Sequence, residues 1–164
     1  MRILGIDPGF ERLGVAIVEK PAFAKSFGVA RESVIFSECF KTSAKLEFAE
    51  RLKLIGEEVR NVIKKYKPEI LAIETLFLNT NQKTVMRVAE ARGVVVYESA
   101  RAGMKILEFS PPQIKVATTG YGHANKEQIN KMVKMLVKIK DNKKSDDELD
   151  AIAIALTALA HTKH

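Results

Sequence analysis

The sequence is poor in several residues that would each direct its chemistry. Among 164 residues there is one cysteine, Cys39, with no tryptophan, five prolines and three histidines. A single cysteine excludes an intrachain disulfide and a thiolate metal cage, and it suits a reducing, cytoplasmic setting. The histidines offer no obvious pair for zinc. No segment approaches the roughly 18 consecutive apolar residues of a membrane span. The chain opens on the strand-like MRILGID and lacks the long apolar segment of a signal peptide. There is no internal repeat and no low-complexity stretch.

Charge is plentiful and unevenly signed. Lysine and arginine number 27 against 20 aspartates and glutamates, giving a net charge of +7 and a pI near 9.5. That surplus favours a polyanionic partner, although solvated surface lysines alone would produce the same total. With 46% hydrophobic and 29% charged residues the chain is globular rather than disordered. Its length fits one domain spanning residues 1–164.

Periodicity predicts the elements. Residues 2–7 read as a buried strand ending in Asp7, with Pro8-Gly9 turning the chain. Gly14–Glu19 and Ser33–Phe40 are further strand candidates, joined by a long connection over Pro21–Arg31. From Lys45 to Tyr66, apolar residues recur at helical spacing (Leu46, Ala49, Leu52, Ile55, Val59, Val62, Ile63), and Pro68 ends the pattern. Glu69–Ile73 is a strand, and Asn81 to about Gly103 a long helix in which Gly93 points to close packing or a break. Lys105–Phe109 is a short strand. Ser110 with Pro111 starts a helix to about Thr118, Asn125–Lys138 is another, and 140–144 is a polar linker. Ser145-x-x-Glu148 is a capping box for the last, apolar helix. The order implies a mixed α/β sheet with helices on both faces.

Acidic residues stand at the edges of these apolar segments. Asp7 closes the first strand, Glu74 closes Ile70-Leu71-Ala72-Ile73, and Asp147 and Asp150 open the last helix. Singly, each has an ordinary explanation: a turn before Pro-Gly, a loop start, or acids favoured by a helix dipole. Together they point further. If the strands ending in Asp7 and Glu74 are parallel neighbours, both acids emerge at one sheet edge. Asp147 and Asp150, three apart, share a helix face that the last helix can bring there. Four such carboxylates repel unless cations intervene, and oxygen donors favour Mg²⁺ or Mn²⁺. Two ions about 3.5–4 Å apart would support in-line phosphoryl displacement.

The ordered set G-I-D-P-G at 5–9, E-R-L-K-L-I at 50–55, A-I-E at 72–74, A-E-A-R-G-V at 89–94, T-G-Y-G at 119–122, K-E-Q-I-N-K-M-V from Lys126 and D-E-L-D-A-I-A-I-A from Asp147 resembles the RuvC family of Holliday junction resolvases. The resemblance covers roughly residues 1 to 160. It implies a ribonuclease H-like, retroviral-integrase-like fold with a mixed five-stranded sheet. It also implies a homodimeric, Mg²⁺-dependent endonuclease of recombination and repair that nicks two symmetric strands of a four-way junction, alongside a branch-migration motor. By motif match, Asp7, Glu74, Asp147 and Asp150 would be metal ligands, and Lys115 and Lys126 would contact scissile-strand phosphates. Phe77 would stack on an unpaired base, an interaction of about 1–3 kcal/mol, whereas spacing alone allows a core ring.

Asp146 adjoins Asp147 and forms a helical i,i+4 pair with Asp150, so the fourth ligand is either of the two. Some family members carry histidine at the position of Asp147, which extends its role to positioning water. His123, in the loop before Lys126, is expected to meet phosphate or solvent. Competing readings are a nuclease of the same fold acting on RNA or duplex ends, a junction-binding scaffold without cleavage, and an actin- or sugar-kinase-like phosphate binder. GIDPGFERLGVAIV resembles the first phosphate loop of that last superfamily, but 164 residues leave no room for its second domain.

Overall fold

The computed structural model describes residues 1–20, 32–76, 82–139 and 143–162. The connection expected at Pro21–Arg31 lies outside the described residues, as do Phe77 and residues 140–142 of the expected linker.

Five strands form one mixed sheet in the order β3-β2-β1-β4-β5. β1 (Arg2–Asp7), β2 (Arg12–Glu19) and β3 (Ser33–Lys41) pair antiparallel in sequence. β4 (Ile70–Glu74) lies parallel to β1, and β5 (Lys105–Phe109) parallel to β4. Parallel neighbours need long crossovers, which α1 (Phe48–Tyr66) and α2 (Gln82–Arg101) supply. α3 (Pro111–Thr119), α4 (Lys126–Leu136) and α5 (Asp146–His161) complete the chain.

The alternation of strand side chains divides the interior into two cores. Leu4, Ile6, Val15, Ile17, Leu71 and Ile73 meet Ile55, Val59 and Val62 of α1 and Ala91 and Val95 of α2. On the opposite face Ile3, Ala16, Ile70 and Ala72 meet Leu149, Ile152 and Leu159 of α5, with Ile114 of α3 and Val133 of α4. Helices therefore cover both faces, as the pattern predicts. α5 is apolar nearly all round because it lies between the sheet and the α3–α4 pair. The same alternation decides where the acids go. Since Leu4 and Ile6 face α1 and α2, Asp7 faces α5; Leu71 and Ile73 do the same for Glu74.

Local chemistry explains the helix starts. Ser110 and Ser145 each accept a hydrogen bond from the backbone N–H three residues on, while Gln113 and Glu148 reach back to the serine N–H. Asn125 and Gln128 cap α4 in the same way. α1 starts three residues later than its apolar spacing predicts. Ser43 draws the chain into a turn instead, its hydroxyl accepting from Lys45 N–H and its carbonyl from Leu46 N–H. Gly93 neither breaks α2 nor sits in close packing: a Cβ there would meet nothing within 4 Å among the described residues. The close approach falls at Gly56 on α1, where a Cβ would lie 3.1 Å from Val94 Cγ1.

Candidate active site

Ile6 and Ile73 are register partners in the parallel β1–β4 ladder, so Asp7 and Glu74 follow side by side at the carboxyl edge. Two arginines brace this edge. Arg92 of α2 donates from Nε to the Glu74 carbonyl at 3.1 Å and pairs its Nη2 with Glu108 of β5. Arg51 of α1, only 4% exposed, donates to Thr42 Oγ1 (2.8 Å) and to the Phe10 carbonyl (3.3 Å). Its guanidinium also lies 4.8 Å from the centroid of the Phe10 ring, fixing the turn after Asp7. Neither arginine is singled out by the sequence reading, because helical arginines read as surface. One signal was available: Arg51 falls on the stripe of Ile55, Val59 and Val62, where a charge requires partners.

α5 brings the remaining acids. Its backbone lies directly on the sheet because β1 and β2 present glycine there. A Cβ on Gly5 would fall on the Ala151 carbonyl oxygen, and a Cβ on Gly14 on that of Asp147. Asp150 accepts from Lys126 Nζ at 3.0 Å. Asp146 and Asp147 diverge from consecutive positions. Asp146 is exposed and turns to α4, meeting Asn130 Nδ2 (3.2 Å) and Lys126 Nζ (3.6 Å). Asp147 turns to β2 and β3, where its Oδ2 accepts from Arg12 Nε at 3.0 Å, from Arg12 Nη2, and from Cys39 Sγ at 3.5 Å.

The electrostatics follow from this crowding. Burial, then the charges of Asp150, Glu74 and Asp147, push the Asp7 carboxyl up to about 7. Burial and Asp150 raise Glu74. Burial raises Asp150, with Lys126 opposing. Asp147 goes the other way: burial would raise it, but hydrogen bonds from Arg12 and Cys39 hold it below the ordinary carboxylate value. A buried carboxylate whose neighbours drive it toward protonation is a donor set that a hard divalent cation satisfies. Among the described residues, no three acids are already drawn into one coordination cage. Asp147 and Asp150 are instead turned onto Arg12 and Lys126.

Asp7, Glu74 and Asp150 line a cleft of about 260 Å³ with Lys115 and Lys126 among its other residues. Asp7 and Glu74 also line an adjoining cleft of about 370 Å³ that runs past Pro8 to Thr84, Val85 and Val88 of α2. A larger cavity of about 550 Å³ between α3 and the end of α5 holds none of these acids. The structure thus brings Asp7, Glu74, Asp150, Lys115 and Lys126 together around one cleft, with Asp147 beside Asp7 but paired to Arg12. His123 is exposed, its ring 5.6 Å from that of Tyr121, and does not line the acidic cleft.

Comparison with known proteins places the chain in a family. A family model described as crossover junction endodeoxyribonuclease RuvC matches residues 3–158. A protein of that name from Halothermothrix orenii is 41% identical over 156 residues, covering 95% of this chain and 90% of the relative. One from Thermosipho melanesiensis is 39% identical over 163 residues, covering 99% of each chain. Thermus thermophilus RuvC, solved in complex with a Holliday junction substrate, is 31% identical with a TM-score of 0.89, covering 99% of this chain and 95% of that one. An acidic sheet edge on a ribonuclease H-like fold, matched along almost the whole chain, makes this protein a member of the RuvC family of crossover junction endodeoxyribonucleases.

Proposed function

We propose that the protein is a Holliday junction resolvase, a structure-selective endonuclease of DNA recombination and repair that makes paired symmetric nicks in four-way junctions. Residues 1–164 form its single nuclease domain, and it acts as a homodimer because a two-fold enzyme suits two equivalent strands. No helix of the described residues is long and apolar enough to cross a membrane, and its place of action is the cytoplasm, with the DNA. A branch-migration motor is its expected partner.

The observation that carries this reading is the convergence of Asp7, Glu74 and Asp150 in a cleft whose lining includes Lys115 and Lys126. These acids, with Asp147, are the residues to hold Mg²⁺, or Mn²⁺ in its place, as two ions per site. Bound there, the ions would supply a nucleophilic hydroxide and stabilise the leaving oxygen. The chain's own residues do the rest. The rigid strand ends fix Asp7 and Glu74, and α5 aligns Asp150 through its capped first turn. Lys115 and Lys126 hold the scissile-strand phosphate against an acidic floor that would otherwise repel it. Lys126 gives up its bond to Asp150 as it takes the phosphate. Phe77, outside the described residues, is assigned to base stacking by its motif position.

The test is digestion of a synthetic four-way junction, a linear duplex and a structured RNA in parallel with Mg²⁺, with cut sites mapped on both strands. Paired symmetric cuts confined to the junction are expected. Asp7→Asn should bind the junction and leave it intact. Equal cutting of all three substrates would overturn the assignment.

A further inference from the structure

Asp147 and Asp150 are each engaged by a cation, but not by cations of the same kind. Lys126 lies on the rim of the cleft, where DNA is expected. Arg12 lies on β2, two residues before Gly14 and therefore on the strand face that α5 covers. It binds Asp147 Oδ2 through both Nε and Nη2, and Cys39 Sγ adds a third contact to the same oxygen. The carboxylate is 21% exposed while the arginine side chain is 52% exposed. The half-exposed guanidinium has solvent to turn into, whereas the carboxylate keeps its contact with Cys39.

We propose that Arg12 is a positioning residue that sets the affinity of the acidic cleft for divalent cations, by holding Asp147 until a cation displaces it. The proposal rests on the assignment of Asp147 as a metal ligand. Its physical content is competition. A guanidinium stays charged at any working pH, so it cancels one of the four negative charges and occupies Oδ2, one of the two oxygens that Asp147 could offer. A cation drawn to Asp147 works against that pair, through the charge of the guanidinium and through the oxygen it holds. Removing the positive charge should therefore tighten cation binding, the reverse of what loss of a structural support would do.

The experiment measures Mn²⁺ binding to the DNA-free protein by calorimetry, with electron paramagnetic resonance of free Mn²⁺ as a second readout. Arg12→Gln should bind Mn²⁺ about five- to tenfold more tightly than the parent, as expected for one charge removed near the surface. Arg12→Lys, which keeps the charge, should stay close to the parent. In an Asp147→Asn background the gain from Arg12→Gln should shrink to the part that charge alone supplies. The Mg²⁺ concentration for half-maximal junction cleavage should fall in Arg12→Gln. Thermal melting separates a folding defect from a binding change. Unchanged or weaker Mn²⁺ binding in a folded Arg12→Gln protein overturns the role of Arg12, as does a gain that persists undiminished with Asp147→Asn. If the parent takes up no Mn²⁺ that depends on Asp7, the metal-site assignment itself fails.

Discussion

Asp7 and Gly14 are register partners across the β1–β2 ladder, and the missing side chain of Gly14 lets the first turn of α5 lie over Asp7. A Cβ at Gly14 would fall on the Asp147 carbonyl oxygen and come within 3.1 Å of Asp7 Cβ. Gly5, two residues before Asp7, does the same for Ala151 and Ala155. The closeness of strand acid and helix acids is therefore built by two glycines.

Gly14→Ala and Gly5→Ala should each destabilise the fold by roughly 1–3 kcal/mol through overpacking against helix backbone, which cannot yield as a side chain can. Gly14→Ala should also lower cleavage more than its stability loss explains, since it lifts Asp147 away from Asp7. Gly93→Ala is the control: among the described residues it meets nothing within 4 Å in mid-helix and should be neutral or stabilising. Chemical denaturation and junction cleavage at matched folded fraction would decide it. A Gly14→Ala protein as stable and active as the parent would sink the account.

In the proposed reading, the directions of the two side chains favour Asp147 over Asp146 as the fourth ligand. Asp147 contributes to the electrostatic load on Asp7, whereas Asp146 bonds to Asn130 and Lys126 on the α4 side. Asp147→Asn should lower the cleavage rate by about 100-fold or more, the scale seen when one transition-state stabiliser is lost. Asp146→Asn should stay within about threefold of the parent, because an exposed ion pair contributes little. Single-turnover cleavage of both variants checks this, and a larger loss for Asp146→Asn would reverse the assignment.

Lys115 and Lys126 meet the phosphate backbone in this reading, so their loss should carry an ionic signature. Lys115→Ala and Lys126→Ala should each flatten the dependence of log junction affinity on log salt by about one unit of slope. Fluorescence anisotropy over a salt series, in Ca²⁺ to prevent cutting, measures it. Weaker binding with an unchanged slope would mean that the lysine acts on the fold instead.

Much of this site is legible in the sequence because its acids end apolar runs. Asp7 follows Ile6 and Glu74 follows Ile73, and the capping box at Ser145 fixes where α5 begins. Their assembly needed only parallel β1 and β4 and the alternation of strand side chains. What escaped has physical reasons. β2 begins at Arg12 rather than at Gly14, and those two residues decide that Arg12 faces Asp147. Arg51 and Arg92 act on backbone carbonyls, contacts that no helical periodicity encodes. A glycine weakens a strand unless another backbone comes close, and the Ala-rich face of α5 supplies that approach at Gly5 and Gly14. Leu46 continues a helical spacing that Ser43 interrupts through one hydrogen-bonded turn.

The charge on Asp7 makes the stability of the metal-free protein depend on pH in a definite direction. Its carboxyl rises from 3.8 to about 7, first through burial and then through Asp150, Glu74 and Asp147. A raised carboxyl means that the folded state favours the protonated form. The associated stability is fully present below the unfolded value of 3.8 and is lost as pH climbs through about 7. Asp7→Asn keeps the shape but cannot ionise, so it should exceed the parent in melting temperature at about pH 8. The gap should narrow toward about pH 5 and close only below the unfolded value of 3.8. Other groups titrate too, Glu74 and Asp150 in the same sense and Asp147 in the opposite one. The difference between parent and variant isolates Asp7. Adding Mg²⁺ at the higher pH should raise the parent and leave the variant nearly unmoved, because a cation supplies the charge that burial withholds. Melting curves in chelator across this range test both statements. A gap that does not change with pH would mean that Asp7 ionises as freely in the fold as in the open chain.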